Sequence, residues 1–428
     1  MAKQSKIRII PLGGIDEIGK NITVVECGND IIVVDCGSTF PKEDMLGIDL
    51  VIPDASYLVA NKDRIRGYVF THGHEDHIGA TPYVLDQAPA PIFGSRLTLA
   101  LIENKLRERH INGIESIPVE SRQIVQLGCF SVQFIRVNHS IAGAYAVAIT
   151  SPAGTILFTG DFKIDFTPPD GQVTDLSALA AIGERGVLAM MCDSTNVEHP
   201  GYTLSEKRVG ETFRDQIASA SGRVFIAMFS SNINRVQQVA ECALQFGRKV
   251  CFVGRSMINV STVAMELGML NIPRQSLIDV DEIDHHRDDQ VLVITTGSQG
   301  EPMSGLTRMA FSEHRKLRIK PSDKIIISST PIPGNEVYVS RVINQLYRCG
   351  AEVIYDAMAE VHVSGHACQE EIKLMYALVK PQYAIPVHGE YRMLWQHAEL
   401  AESMGTPREN IIIPEIGQVI ELSADSIA

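Results

Sequence analysis

The stretch His72-Gly73-His74-Glu75-Asp76-His77 decides how this chain is read, because three histidines and an aspartate fall within one hexad, directly after the apolar run Gly67-Tyr68-Val69-Phe70. Imidazole and carboxylate donors suit a borderline divalent cation such as zinc. A strand ending in this loop holds His72 and His74 to one side. A helix beginning near Ile78-Gly79-Ala80 turns Asp76 and His77 toward a second point, so one hexad can serve two adjacent cations. The bland alternative is a polar strand-to-helix loop with histidines scattered by chance, and the density of ligand types weighs against it.

A hexad alone leaves both coordination spheres incomplete, and the missing donors are sought at other strand ends, where loops on a rigid scaffold converge. His139 follows Phe134-Ile135-Arg136-Val137-Asn138, Asp161 follows Ile156-Leu157-Phe158-Thr159-Gly160, and His388 follows Tyr383-Ala384-Ile385-Pro386-Val387. Taken singly, a strand-terminal histidine is ordinarily a capped or solvated side chain, and aspartate after glycine is common in turns. Together they complete an allocation: His72, His74 and His139 on one cation, Asp76, His77 and His388 on the other, and Asp161 bridging. Two metals ~3.5 to 4 Å apart lower the pKa of bound water and stabilise charge on attacked and departing oxygens, which suits in-line phosphodiester hydrolysis.

The rest of the sequence sets bounds on that reading. The chain has 428 residues, of which 45% are hydrophobic and 21% charged, enough for two or three folding units with substantial cores. The N-terminal Met1-Ala2-Lys3-Gln4-Ser5-Lys6 runs into a strand-like Ile7-Arg8-Ile9-Ile10 without an apolar leader, and no stretch approaches the roughly 20 apolar residues that span a bilayer. The expectation is a cytoplasmic protein with no membrane partner. Eight cysteines are scattered without a C-x-x-C pair, and most sit in apolar runs as small buried hydrophobes. A formal charge of −13 argues against a diffuse electrostatic hold on nucleic acid but leaves room for a local basic groove.

Along the first 200 residues, short strands separated by turns predict layered β-sheets with outer helices. The hairpin Ile22 to Asp35 is the clearest, turning at Gly28-Asn29-Asp30. From about Leu204 the pattern becomes strand-helix alternation through Arg223 to Ala227, Lys249 to Val253, Val291 to Thr295 and Lys324 to Ser328, which predicts a parallel sheet. Histidines return at His362, His366 and His388, so the C-terminal part is expected to complete the first site around an inserted second domain.

Asp35, the hexad, His139 and Asp161 together resemble the successive motifs of the metallo-β-lactamase superfamily. Met191-Cys192-Asp193-Ser194-Thr195-Asn196, His362-Val363-Ser364-Gly365-His366-Ala367 and Pro386-Val387-His388-Gly389-Glu390 resemble the three extra motifs of its β-CASP nuclease branch. Within that branch the chain resembles the ribonuclease J family, and the likeness is strengthened by Pro11-Leu12-Gly13-Gly14-Ile15-Asp16-Glu17-Ile18-Gly19-Lys20-Asn21, by Ser231-Asn232-Ile233-Asn234-Arg235 and by Thr296-Gly297-Ser298-Gln299-Gly300-Glu301-Pro302. It covers essentially the whole chain.

The resemblance implies an α/β fold, a metallo-β-lactamase αββα sandwich with an inserted β-CASP α/β domain. Its parts are expected at residues 1–205 and 356–428, with the insertion at 206–355. It implies two divalent metal ions, zinc first and manganese second, and RNA as substrate. The implied activity is 5′-to-3′ exonucleolytic, favouring 5′-monophosphate ends, with endonucleolytic cleavage as well; the nucleophile is a hydroxide activated by both metals. Single-stranded RNA is expected to enter between the two domains.

Residue by residue, the seven ligands are those allocated above, with Asp35 orienting a liganding histidine from behind. His366 is the candidate proton donor to the leaving 3′-oxygen, with Asp76 and Asp193 in the catalytic set; the other reading of Asp193-Ser194 is a helix N-cap. His362, Ser364 and His366 are expected on phosphate oxygens, with Ser231 and Asn232 as further RNA contacts. Arg255 and the turn-rich Ser328 to Glu336 are weaker candidates for a phosphate-holding cleft. The basic run Arg315-Lys316-Leu317-Arg318-Ile319-Lys320 is either solvated surface or an RNA path. A homodimer or tetramer, and membership of an RNA-degrading complex, are further implications. Many members continue beyond the point corresponding to Ala428, and their dimer contacts partly depend on that extension.

Overall fold

The computed structural model of the chain describes residues 6–41, 45, 47–332, 335–423 and 426–427. Met1 to Ser5, and Pro333 and Gly334 of the turn-rich loop, lie outside the described residues. The chain divides into two compact units: Met1–Ile164, Val173–Thr203 and Gly365–Ala428 form the first, and Asp165–Gln172 and Leu204–Ser364 the second. These limits differ from those expected at 205 and 355. The Asp165 carboxylate accepts bonds from Ser205 Oγ and the Glu206 N–H, both at 3.0 Å, which ties that short excursion to the second unit. At the other limit, Ser328 Oγ donates to the Val361 carbonyl at 2.6 Å.

Two sheets build the first unit. The larger runs, edge to edge, through Ser426–Ile427, Ile420–Ser423, Ile7–Gly13, Ile22–Cys27, Asp30–Val34, Ile65–Val69, Ile92–Gly94 and Ser116–Pro118; the smaller runs through Tyr383–Val387, Ala189–Asp193, Gly154–Phe158, Tyr145–Ser151, Phe130–Arg136 and Ile124–Leu127. The two-residue period of a strand explains how the smaller sheet is covered on both faces. Tyr145, Val147 and Ile149 enter the core shared with Ile9, Val25, Ile32 and Val69 of the larger sheet. The intervening Ala146 and Ala148 face the opposite way, where their small side chains let the helices Leu176–Arg185, Gln369–Val379 and Tyr391–Ser403 pack close. The expected hairpin is present, with Cys27 paired to Asp30 and Thr23 to Val34.

Strand direction places the site. Gly154–Phe158, Ala189–Asp193 and Tyr383–Val387 are mutually parallel, and Phe130–Arg136 shares their direction because Tyr145–Ser151 is antiparallel to both it and Gly154–Phe158. Their carboxyl ends, which lead to His139, Asp161, Asp193 and His388, therefore lie at one edge. In the larger sheet Asp30–Val34 and Ile65–Val69 are likewise parallel, so Asp35 and the hexad emerge side by side.

The second unit carries a five-stranded, wholly parallel sheet in the order Lys249–Val253, Val291–Thr295, Val224–Ala227, Lys324–Ile327, Glu352–Ile354. Its central strands are buried throughout, as strands covered on both faces must be. Among the described residues no helix is long and apolar enough to cross a membrane.

Candidate metal centre

The hexad bends into its site earlier than the sequence suggests. A one-turn helix spans Glu75–Ile78 with His74 as its N-cap in extended conformation (φ −74°, ψ 152°), so Asp76 and His77 occupy the first turn instead of preceding it. Glu75, the one acidic hexad residue given no role, is held away by two bonds from Lys105 Nζ at 2.6 and 2.7 Å. The loop opposite must be glycine at position 37, where a Cβ would stand 1.6 Å from the Asp76 carbonyl oxygen.

The side chains form two ligand groups that share one carboxylate, Asp161, which a third cluster with Asp193, His366 and His388 also shares. In the first, His74 Nδ1 lies 3.1 Å from His72 Nε2 and 3.0 Å from His139 Nε2; Asp161 Oδ2 is 3.6 Å from His72 Nε2 and 3.7 Å from His139 Nε2. In the second, Asp76 Oδ2 stands 3.1 Å from His388 Nε2 and 3.6 Å from His77 Nε2, and Asp161 is 3.3 Å from His77 Nε2. The candidate ligand atoms of each group all lie within 4.8 Å of one another. Imidazole nitrogens and carboxylate oxygens converging at this spacing fit divalent cations of the zinc and manganese type.

Electrostatics separate the groups. Burial holds the imidazoles of the first in the neutral form that a metal requires: His72 and His139 are pushed well below their ordinary value, and His74 to about 4. In the second, burial opposes charge on His77 and His388, but carboxylates overcome it. Asp161, Asp76 and Asp35 raise His77, while Asp161, Asp193 and Asp76 raise His388 to about 10.

Behind the ligands, Asp35 sits in the left-handed region at φ 60°, a conformation that aspartate and histidine tolerate better than most residues and that is worth explaining where it occurs. There its Oδ2 lies 2.8 Å from His77 Nδ1 and accepts from Thr71 Oγ1 at 2.8 Å, and its Oδ1 accepts from the Thr71 N–H at 2.8 Å. Thr71 Oγ1 in turn lies 3.1 Å from His72 Nδ1, so one carboxylate reaches a histidine of each group. His388 is also left-handed, at φ 56°, with Thr195 Oγ1 2.7 Å from its Nδ1. Asn21 Nδ2 lies 3.0 Å from His77 Nε2.

His366 belongs to the same centre. Its Nδ1 is 2.7 Å from Asp193 Oδ2, and its Nε2 is 4.0 Å from Asp161 Oδ2. Burial disfavours charge on His366, yet Asp193 and Asp161 raise its pKa. Asp193 ends the strand Ala189–Asp193, and no helix follows it; its Oδ1 instead accepts from the N–H and Oγ1 of Thr195 at 2.9 and 2.7 Å. The helix-cap reading of Asp193-Ser194 is thereby corrected.

The remaining expected RNA contacts, His362, Ser364, Ser231 and Asn232, belong to the second unit. Asn232 is the N-cap of the helix Ile233–Gln245, its side chain accepting from the Arg235 N–H at 3.0 Å, and it is 3% exposed, so a capping role accounts for it. His362 Nδ1 is 3.1 Å from an Nη of Arg235, a buried guanidinium that also bonds both Glu206 oxygens and the Ser328 carbonyl. Within the basic run, Lys316 pairs with Asp281 and Lys320 with Asp288, while Arg318 donates to the Ser312 carbonyl. That pairing favours the surface reading of the run over an RNA path. Sequence alone assigns no role to Thr71, Thr195, Asn21 and Arg235. Thr71 abuts the hexad, and the other three lie in stretches quoted for the resemblance, which was the available signal.

A two-sheet sandwich with two ligand groups at the strand ends and an inserted parallel α/β unit defines the class: a metallo-β-lactamase-type fold carrying a β-CASP insertion. Residues 15–236 match the model of the metallo-beta-lactamase superfamily, 221–346 that of the ribonuclease J beta-CASP domain, and 351–414 that of the Zn-dependent metallo-hydrolase RNA specificity domain. The chain is 46% identical over 421 residues to ribonuclease J of Helicobacter pylori strain 26695, covering 98% of this chain and 61% of that protein. It is also 46% identical over 433 residues to ribonuclease J of Thermus thermophilus, covering 99% of this chain and 75% of that protein. The chain belongs to the ribonuclease J family. It spans 61% of the length of the Helicobacter relatives it matches. A crystal structure of a protein of unknown function from Enterococcus faecalis V583 shares the fold, with TM-score 0.69 at 17% identity over 97% of this chain and 100% of that one.

Proposed function

We propose that the chain is a metal-dependent ribonuclease that hydrolyses RNA phosphodiesters, acting 5′-to-3′ from 5′-monophosphate ends and also cutting internally. The observation that carries this reading is Asp161, whose carboxylate is common to both ligand groups and so suits two adjacent divalent cations. His72, His74 and His139 would hold one with Asp161; Asp76, His77 and His388, again with Asp161, would hold the other. Zinc fits the nitrogen-rich group, and manganese is the second candidate. When bound, the pair supplies Lewis-acid stabilisation of developing charge and a more acidic water.

The protein's own groups do the rest. Asp193 holds one proton of His366 on Nδ1 and, with Asp161, favours the imidazolium, so that Nε2 carries a second proton to deliver to the departing 3′-oxygen and the ring is left neutral with its proton on Nδ1. Asp35 sets the orientation of His77 directly and of His72 through Thr71. His362 and Ser364 serve as phosphate contacts, with Ser231 nearby in sequence to the capped helix. Cytoplasmic RNA maturation and decay, a homodimer or tetramer, and an RNA-degrading complex complete the proposal.

The test is cleavage of single-stranded RNA labelled at its 3′ end, with 5′-monophosphate and 5′-triphosphate termini, a DNA control and a chelator arm. Stepwise shortening of the monophosphate substrate that chelator abolishes is expected. Cleavage of DNA alone, or cleavage indifferent to chelator, would overturn the reading.

A further inference from the structure

The helix Gln369–Val379 contains a glutamate that metal chemistry does not use. Glu371 is fully buried, yet no cation partners it in the hydrogen bonds and ion pairs described. Its carboxylate instead accepts three backbone N–H groups from three separate segments: Ile164 at 2.7 Å on Oε1, and Thr203 at 2.7 Å and Cys368 at 2.8 Å on Oε2. The bond to Cys368 belongs to a capping box at the start of the same helix, which a glutamate at that position commonly forms. The other two bonds exceed that role. Ile164 and Thr203 are the residues at which the chain leaves the first unit, and Gly365, three residues before Cys368, is where it returns.

Those bonds continue to His366. Thr203 Oγ1 donates to the His366 carbonyl at 2.7 Å, and Asn196 Nδ2 donates to the same oxygen at 3.0 Å. One residue earlier, the Gly365 carbonyl lies 2.8 Å from His139 Nδ1, and a Cβ at Gly365 would stand 2.7 Å from that nitrogen. The His366 peptide is thus held from both sides by fixed groups, and Glu371 anchors two of the backbone points that fix it. A buried charge satisfied by backbone dipoles is costly to disturb, because removing an acceptor strands several donors at once.

We infer that Glu371 is a positioning residue: by pinning Thr203 and Cys368 it sets the backbone of His366 and so the reach of its Nε2 toward the reacting phosphate. This rests on the reading of His366 as proton donor. Glu371→Gln keeps the shape but places an NH2 where an N–H must be received. The expected result is a kcat about 10- to 100-fold lower, with KM for RNA within twofold and the metal content of the purified protein unchanged.

The decisive arm is a double-mutant cycle with His366→Ala. If Glu371 acts through His366, Glu371→Gln costs little more in the His366→Ala background; losses that multiply overturn the role while leaving the ribonuclease reading intact. A wild-type protein inert toward RNA overturns that reading and the role with it. Should Glu371→Gln fail to fold, Thr203→Val removes the hydroxyl that bonds His366 and enters the same cycle with the same two outcomes.

Discussion

The two ligand groups at the metal centre share Asp161 yet are built from different materials. The first has three imidazoles whose pKa values burial lowers; the second has two whose pKa values are raised against burial, by Asp161, Asp76 and Asp35 at His77 and by Asp161, Asp193 and Asp76 at His388. The difference follows from position in the fold. Asp161 stands 3.6 and 3.7 Å from His72 and His139 but 3.3 Å from His77, and His388 emerges beside the strand that ends in Asp193, the two strands being adjacent and parallel. A centre of this kind has one nitrogen-rich half suited to zinc and one carboxylate-rich half suited to harder cations as well.

Substitutions that strike one half should break the comparison most visibly. His74→Ala removes the nitrogen at the meeting point of the first group and is expected to abolish RNA cleavage and lower the metal content, measured by elemental analysis. His366→Ala is expected to keep the metal content while slowing the chemical step by roughly 10²- to 10⁴-fold in single-turnover assays, the range of a general acid.

The supporting residues sharpen the contrast by degree. Asp35→Asn is expected to weaken metal binding by roughly 10- to 100-fold, with the larger loss in the second group, because Asp35 touches His77 directly and His72 only through Thr71. Thr71→Val should shift the loss toward the first group. Competitive titration with a metal-sensitive dye would separate them, and equal losses in both groups for both variants would contradict the arrangement.

The smallest effect lies away from the metals. His397 is buried between Ser194 Oγ, 2.8 Å from its Nδ1, and Tyr376 Oη, 3.1 Å from its Nε2, and burial lowers its pKa to about 4. Above its ordinary value of 6.5 it is neutral whether folded or unfolded. Between 6.5 and 4 only the unfolded chain takes up the proton, so stability falls by about 1.4 kcal/mol per pH unit as pH drops. His397→Gln should remove that increment of slope from urea unfolding midpoints followed across the window; an unchanged slope would contradict it.

The clustering of the candidate ligands was legible in the sequence because they fall just beyond apolar strands, and strand ends of one direction share an edge. The hairpin and the parallel sheet were legible for a similar reason, their β-branched runs being short and cleanly punctuated. Less could be read where long-range pairing decides the outcome. Nothing local says that Asp193 would bend into a turn with Thr195 instead of capping a helix, or that Asp281 and Asp288 would neutralise Lys316 and Lys320. The earlier start of the hexad helix was missed because Gly79 and Ala80 look like a helix start, while the bonds that close the turn begin at the His74 carbonyl. Glu371 was illegible beyond its helix cap for the same reason: two of its three partners are backbone groups from distant segments, and backbone leaves no mark on residue type.

The most direct test of the account is the metal stoichiometry of the purified protein and of His139→Ala and Asp76→Ala, set beside RNA cleavage by the same samples. Two cations per chain in the parent, about one in each variant, and cleavage lost in both is the predicted result. A single cation per chain in a protein that fully cleaves RNA would contradict the two-group centre bridged by Asp161.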